Sequence, residues 1–165
     1  MLVRLELKAD ERGFFARTYS SREFMALGLE RNLSETSVSY NGKCGTLRGM
    51  HYQSPPHLEA KLVRVTRGAA FDVAVDIRSD SPTYLKWFGV ELTEHNHLAL
   101  YIPKGFAHGF ITLENHTELL YHITDTYKPA HATGFAWNDP RIGIAWPNAP
   151  VIMSETDRLL PNFLI

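Results

Sequence analysis

Apolar and polar residues alternate along most of the chain from Val38 to Thr124, in short runs separated by turn-forming residues. Val38-Ser39-Tyr40, Gly45 to Gln53, Lys61 to Val65, Phe71 to Ile77, Trp87 to Leu92, Leu98 to Ile102, Phe106 to Leu113 and Glu118 to Thr124 each read as a strand. The period is clearest in the fourth run, where Phe71, Val73, Val75 and Ile77 fall on one face and Asp72, Ala74 and Asp76 on the other, expected to point inward. Asn41 to Gly45 and Arg67-Gly68 read as tight connections, and Ser54-Pro55-Pro56-His57 interrupts pairing because proline has no N–H to donate. Upstream, Leu2 to Leu7 predicts an edge strand and Phe14 to Tyr19 a second extended run. Ser20-Ser21-Arg22-Glu23 has the capping-box spacing, Phe24 and Leu27 would share a face one turn on, and Gly28 is placed to stop this one short helix. At the other end Ser154 to Asp157 predicts a capped last turn, and the aromatic, proline-rich tail from Trp137 to Pro147 is expected to lie across the body. At least eight short strands with almost no helix predict an all-β sandwich, barrel or jelly roll.

Composition narrows the function more than the fold. A chain of 165 residues supports one domain, expected over 1–165, with a core that needs no metal or disulfide. Aromatic residues at 12%, charged residues at 21% and a formal charge of −1 argue against disorder and against a broad nucleic-acid surface, so a small molecule is the expected partner. The lone Cys44 has no internal partner and no apolar run is long enough for a membrane span or leader, so a cytoplasmic setting is expected. No repeat or low-complexity tract divides the chain.

The candidate chemistry gathers around Gly45-Thr46-Leu47-Arg48-Gly49-Met50-His51-Tyr52-Gln53, where a guanidinium and an imidazole stand three residues apart in a glycine-rich run. Gly45 and His51 begin a metal-binding pattern of β-barrels, and Pro103, Gly105 and His108 fit its second half. Gln53 occupies the second histidine position, which leaves two ligands where three or four are needed, and no metal is expected. His95 and His97 form a His-x-His pair inside an expected turn. His51 and His108 are therefore candidates for acid/base work or anion binding in a barrel mouth, set against the plainer reading of hydrogen-bonded histidines in a half-buried site. Arg12, Arg48, Lys61 and Arg64 are the candidate cations, and Lys61 and Asp72, which flank one hairpin, are expected to pair beside His51. No phosphate-binding glycine loop, dinucleotide fingerprint, G-x-S-x-G or HExxH occurs, so bound phosphates would be held by arginine.

Together with Asp10 to Phe15, Lys61 to Arg64, Phe71 to Arg78, Ser81-Pro82-Thr83, Ile102 to Phe110, Tyr127-Lys128-Pro129 and Trp137 to Pro140, the same stretch resembles the dTDP-4-dehydrorhamnose 3,5-epimerase family. The likeness runs from about Asp10 to Pro147, with an echo at Asp157. It implies a metal-free, cofactor-free cupin jelly roll, usually a homodimer, with one short N-terminal helix, acting at C3 and/or C5 of a nucleotide-linked 4-keto-6-deoxyhexose. In that scheme His51, oriented by Asp157, takes the proton beside the ketone. Lys61, with Asp72 nearby, stabilises the enolate, and Tyr121 returns a proton on the opposite face. Arg48 and Arg12 hold the diphosphate, Arg12 reaching in from a partner subunit. Phe15, Ser39, Gln53, His108 and Glu35 complete the substrate-binding set. The chain departs from the family pattern at Arg17 and at Glu35-Thr36-Ser37, near the nucleotide end. A cupin keto-isomerase and a non-catalytic sugar-nucleotide-binding cupin are the alternatives, with a metal-dependent cupin oxygenase more remote.

Overall fold

In the computed structural model, which describes residues 1–164, three short strands open the chain: β1 (Leu2–Arg4), β2 (Lys8–Asp10) and β3 (Gly13–Phe15). Helix α1 (Ser21–Ala26) follows, and then the run of longer strands: β4 (Glu35–Asn41), β5 (Leu47–Gln53), β6 (Lys61–Arg67), β7 (Ala69–Asp76), β8 (Trp87–Thr93), β9 (Leu98–Ile102), β10 (Phe106–Thr112) and β11 (Thr117–Ile123). Strand β12 (Ala132–Gly134) and helix α2 (Glu155–Arg158) come last. Each of the eight runs read from alternation between Val38 and Thr124 is a strand.

Ten of these strands form two antiparallel five-stranded sheets, in the orders β1-β9-β6-β11-β4 and β12-β5-β10-β7-β8, and β2 and β3 pair with each other. Val63, Val65, Leu100, Ile102 and Leu119 of the first sheet meet Ala70, Ala74, Leu92 and Phe110 of the second in one buried cluster, so the sheets stack face to face as in a jelly roll. Both outer faces are partly covered. On the first sheet, Leu62, Ala99 and Tyr101 pack against Phe24 of α1. On the second, Met50, Val73, Val75 and Ala107 pack against Phe135 and Ile142, with Trp146 and Phe163 alongside, so the tail does lie across the body.

Local chemistry sets the ends of α1. Ser20 Oγ accepts from the Glu23 N–H at 3.4 Å, the N-terminal cap that the sequence predicts. At the other end Gly28, with φ +68°, sends its N–H to the Met25 carbonyl while Leu29 N–H reaches the Phe24 carbonyl at 2.9 Å. This double bond pattern needs a left-handed residue at Gly28 and brings Leu29 onto the Phe24 cluster. Leu27 was expected to share the buried face, but it is the C-terminal cap and 64% exposed, because the helix ends one residue earlier. The extended run expected from Phe14 to Tyr19 is also shorter: β3 ends at Phe15 and pairs only with β2, leaving Phe14 and Phe15 on the surface.

Two buried carboxylates fasten loops. Asp76 accepts from Arg78 Nε and Nη2, Ser81 Oγ and Thr83 Oγ1, all between 2.6 and 2.8 Å. Burial acts to raise its pKa, yet these donors outweigh it and hold the carboxyl far below the usual range. Asp139 accepts from Arg141 and, at 2.8 Å, from the Phe163 N–H, while Ala136 N–H reaches the Pro161 carbonyl at 2.8 Å. The last residues of the tail are thereby tied to the loop after β12.

Candidate active site

A cavity of about 790 Å³ opens between the sheets. Its walls include Arg48 and His51 of β5, His108 of β10, Lys61 of β6 and Tyr121 of β11. In a regular strand, residues three apart point to opposite faces, so Arg48 and His51 need a break in the alternation to share the cavity. The break is a bulge: the β5–β10 register passes from Phe110↔Arg48 to His108↔His51, so Gly49 and Met50 together oppose Gly109. Met50 turns outward to full burial, and the Arg48 and His51 side chains turn inward. Gly49 has φ +127°, and a Cβ there would lie 2.6 Å from Gly109 Cα, so no other residue fits.

His51 is half exposed to the cavity, and its Nε2 lies 2.6 Å from Oδ1 of Asp157, which is buried. Ser154 caps α2 by accepting from the Asp157 N–H at 3.1 Å, which turns the carboxylate back toward β5. Burial acts to raise the Asp157 pKa. The hydrogen bond and charge of His51, the Gly49 N–H and Ser154 more than offset it, so the carboxyl is held low and ionised at neutral pH. An ionised Asp157 accepts from Nε2–H and leaves Nδ1 as the basic nitrogen of the ring.

Strand β7 points Asp72 inward between Ala70 and Ala74, as its alternation predicts, but its partner is not Lys61. Asp72 Oδ1 lies 2.7 Å from His108 Nε2 with both side chains buried, and among the described residues its Oδ2 has no hydrogen-bond partner. Lys61 instead pairs with Glu59, Nζ to Oε1 at 2.9 Å. The expected Lys61–Asp72 pair is thus two separate pairs. The Tyr121 ring sits edge-on to His108 at a centroid distance of 5.8 Å. Burial and the nearby Asp72 charge push the Tyr121 pKa well up, with Arg48 opposing in part, so the phenol keeps its proton at neutral pH.

Arg48 is aimed by Asn41, whose Oδ1 accepts from Nε at 2.9 Å while its amide nitrogen donates to the Ser39 carbonyl. Asn41, which the sequence places in a tight connection, is the buried last residue of β4. Ser39, Glu35 and Gln53 line the cavity, and Glu35 Oε1 accepts from the Tyr127 N–H at 3.0 Å. Gln53 is buried and bonded on both ends of its amide, to Glu59 through Nε2 and to the Lys128 N–H through Oε1. Arg12 and Phe15 do not line this cavity: they stand on the exposed β2–β3 hairpin, where Arg12 pairs with Asp10. His95 and His97 lie in the turn built around Asn96, whose Oδ1 accepts from the Thr93 and Leu98 N–H groups.

Sequence reasoning missed Glu59 and Asn41. Glu59 carried a usable signal, since it stands two residues before Lys61 and on an extended segment shares its face. Asn41 carried none, because Asn-Gly reads more strongly as a turn.

The family model described as dTDP-4-dehydrorhamnose 3,5-epimerase matches residues 1–164. The dTDP-4-dehydrorhamnose 3,5-epimerase of Sinorhizobium fredii is 42% identical over 162 residues, covering 98% of this chain and 83% of its own. Among solved structures, dTDP-4-dehydrorhamnose 3,5-epimerase from Bacillus anthracis, crystallised with TDP and PPi bound, superposes with a TM-score of 0.95 at 42% identity, covering 98% of this chain and 93% of the other. The dTDP-6-deoxy-D-glucose-3,5-epimerase of Legionella pneumophila, in complex with dTDP-4-keto-L-rhamnose, superposes with a TM-score of 0.89 at 36% identity, covering 99% and 93%.

Proposed function

The chain belongs to the dTDP-4-dehydrorhamnose 3,5-epimerase family, and we propose that its cavity epimerises a nucleotide-diphosphate 4-keto-6-deoxyhexose at C3 and C5. The observation that carries this reading is the division of labour between the sheets. His51, with its ionised Asp157, is on the second sheet, while Tyr121 and Lys61 are on the first. Inversion beside a ketone needs a base on one face of the sugar and an acid on the other, which a cavity between two sheets supplies.

His51 Nδ1 takes the proton from the carbon next to the ketone, and the electron pair moves into an enolate whose charge rests on the C4 oxygen. A Lys61 N–H donates to that oxygen as the charge forms. Tyr121 then gives its phenolic proton to the opposite face of the carbon, and the ketone reforms. Once His51 has lost its proton to solvent and Tyr121 has regained one from it, a second round at the other neighbouring carbon uses the same groups. Arg48, held by Asn41, binds the diphosphate. His108, Ser39, Gln53 and Glu35 line the sugar and nucleotide positions, and Asp72 acts behind His108 by fixing its ring.

Arg12 and Phe15 fit this scheme through a homodimer, in which the β2–β3 hairpin of each single-domain copy reaches the other's cavity. The exposed Phe14, Phe15, Val38 and Tyr40 are apolar surface for such a contact. The reading extends to a cytoplasmic enzyme, in keeping with an unpaired, exposed Cys44; among the described residues no helix is long and apolar enough to cross a membrane. Incubation with dTDP-4-dehydro-6-deoxyglucose in deuterated water is the test: deuterium entering C3 and C5 is expected, and washout at neither carbon overturns the reading.

A further inference from the structure

The segment before β6 carries an acidic side chain that the reaction above does not use. Ala60 is fully buried against α1 on the outer face of the first sheet, with its N–H donated to Thr124 Oγ1 at 2.8 Å and its carbonyl accepting from the Thr124 N–H. Alternation about that pinned residue turns both neighbours, Glu59 and Lys61, into the cavity. Glu59 is held at both oxygens: Oε1 by Lys61 Nζ at 2.9 Å and Oε2 by Gln53 Nε2 at 3.0 Å. Gln53 is itself fixed by the Thr126 carbonyl and the Lys128 N–H. Both charged side chains are only 12% exposed, and among the described residues Glu59 is the one ion-pair partner of Lys61.

We propose that Glu59 is a positioning residue for the reaction: by ion pairing it clamps the Lys61 ammonium on the wall so that its N–H donors face the oxygen on which charge develops. An unclamped lysine has four rotatable bonds and a compact charge that any phosphate would attract. The carboxylate removes both problems, since it fixes the stem and offsets the charge, leaving the diphosphate to Arg48. The site thus places a carboxylate-bound ammonium where the oxyanion forms, and Gln53, in the position where a metal-binding barrel carries a second histidine, is the residue that anchors the carboxylate. The inference rests on the epimerase reading.

Three proteins decide it: wild type, E59Q, which keeps the shape and loses the charge, and E59D, which keeps the charge on a shorter stem. Turnover of dTDP-4-dehydro-6-deoxyglucose, deuterium washout, inhibition by dTDP and the thermal midpoint are measured on each. E59Q is expected to lose kcat about tenfold with KM unchanged or lower, to bind dTDP more tightly because Lys61 is released toward phosphate, and to keep its thermal midpoint; E59D is expected to recover much of the loss. A kcat for E59Q within twofold of wild type overturns the inference, as does E59D performing no better than E59Q. Should E59Q fail to fold, E59D decides alone, with kcat within threefold of wild type expected and a tenfold loss against. Washout absent already in wild type overturns the reading of the reaction and this inference with it. Washout in wild type with E59Q unaltered overturns only the role of Glu59.

Discussion

Asp157 and His51, 106 residues apart in sequence, meet at 2.6 Å because α2 returns the end of the chain to the bulged centre of β5. The carboxylate decides which nitrogen of the ring carries the proton. Replacing it with an amide, D157N, keeps the volume and offers Nε2 a donor or a neutral acceptor in place of the anion. We expect kcat to fall by about 10²-fold to 10⁴-fold, the range for a mispositioned general base, with little change in KM. Steady-state kinetics check this, and a loss under fivefold would contradict the orienting role.

The proposed base, His51, and the proposed acid, Tyr121, are on different sheets, so their removal separates two observables. H51A is expected to abolish deuterium exchange at every carbon. Y121F keeps the ring and the packing against His108 and is expected to leave exchange measurable while inversion falls by about 10² or more. Mass spectrometry of the sugar together with product stereochemistry distinguishes the two, and equal, complete loss in both variants would refute the assignment.

Gly49 makes the bulge possible. G49A forces a Cβ to within 2.6 Å of the Gly109 backbone at a φ that L residues avoid. A cost of about 3 kcal/mol or more is expected, together with loss of activity as Arg48 and His51 lose their common face. Urea unfolding gives the first quantity. A variant as stable and as active as wild type would show that the strands can repack around the methyl group.

Asp76 makes stability depend on pH. Its folded-state pKa is depressed below the ordinary 3.8, so the unfolded chain binds the proton more readily, and the stabilisation is present above that value and lost as pH falls below it. D76N is expected to destabilise the protein at pH 7 by about 3 kcal/mol, since one partner of a buried charged network is removed. The gap between variant and wild type should narrow as pH falls below about 3.8. Unfolding midpoints at pH 7 and pH 3 test this, and a gap that widens in acid would reverse the sign of the argument.

The strands were legible because their signal is local: period two, glycine and proline punctuation, and the cap at Ser20 all lie within a few residues. The inward direction of Asp72 was legible for the same reason. Its partner was not, since His108 reaches it from another strand of the sheet, and a hairpin that joins Lys61 and Asp72 in sequence separates them between the two sheets. The bulge at Gly49 was legible only in part. Its glycine was visible, while the single residue by which β5 outruns β10 appears only once the strands are paired. Arg48 and His51 were read as neighbours on one cleft, and the bulge is the physical reason that three residues of spacing allow it.

The clamp at Asp139 bears on a site far from it in sequence. The strands described all lie ahead of residue 135, so both sheets are complete in sequence before the segment that brings Asp157 to His51. The hold of Asp139 on the Phe163 N–H keeps that late segment against the body, and with it the carboxylate that meets His51.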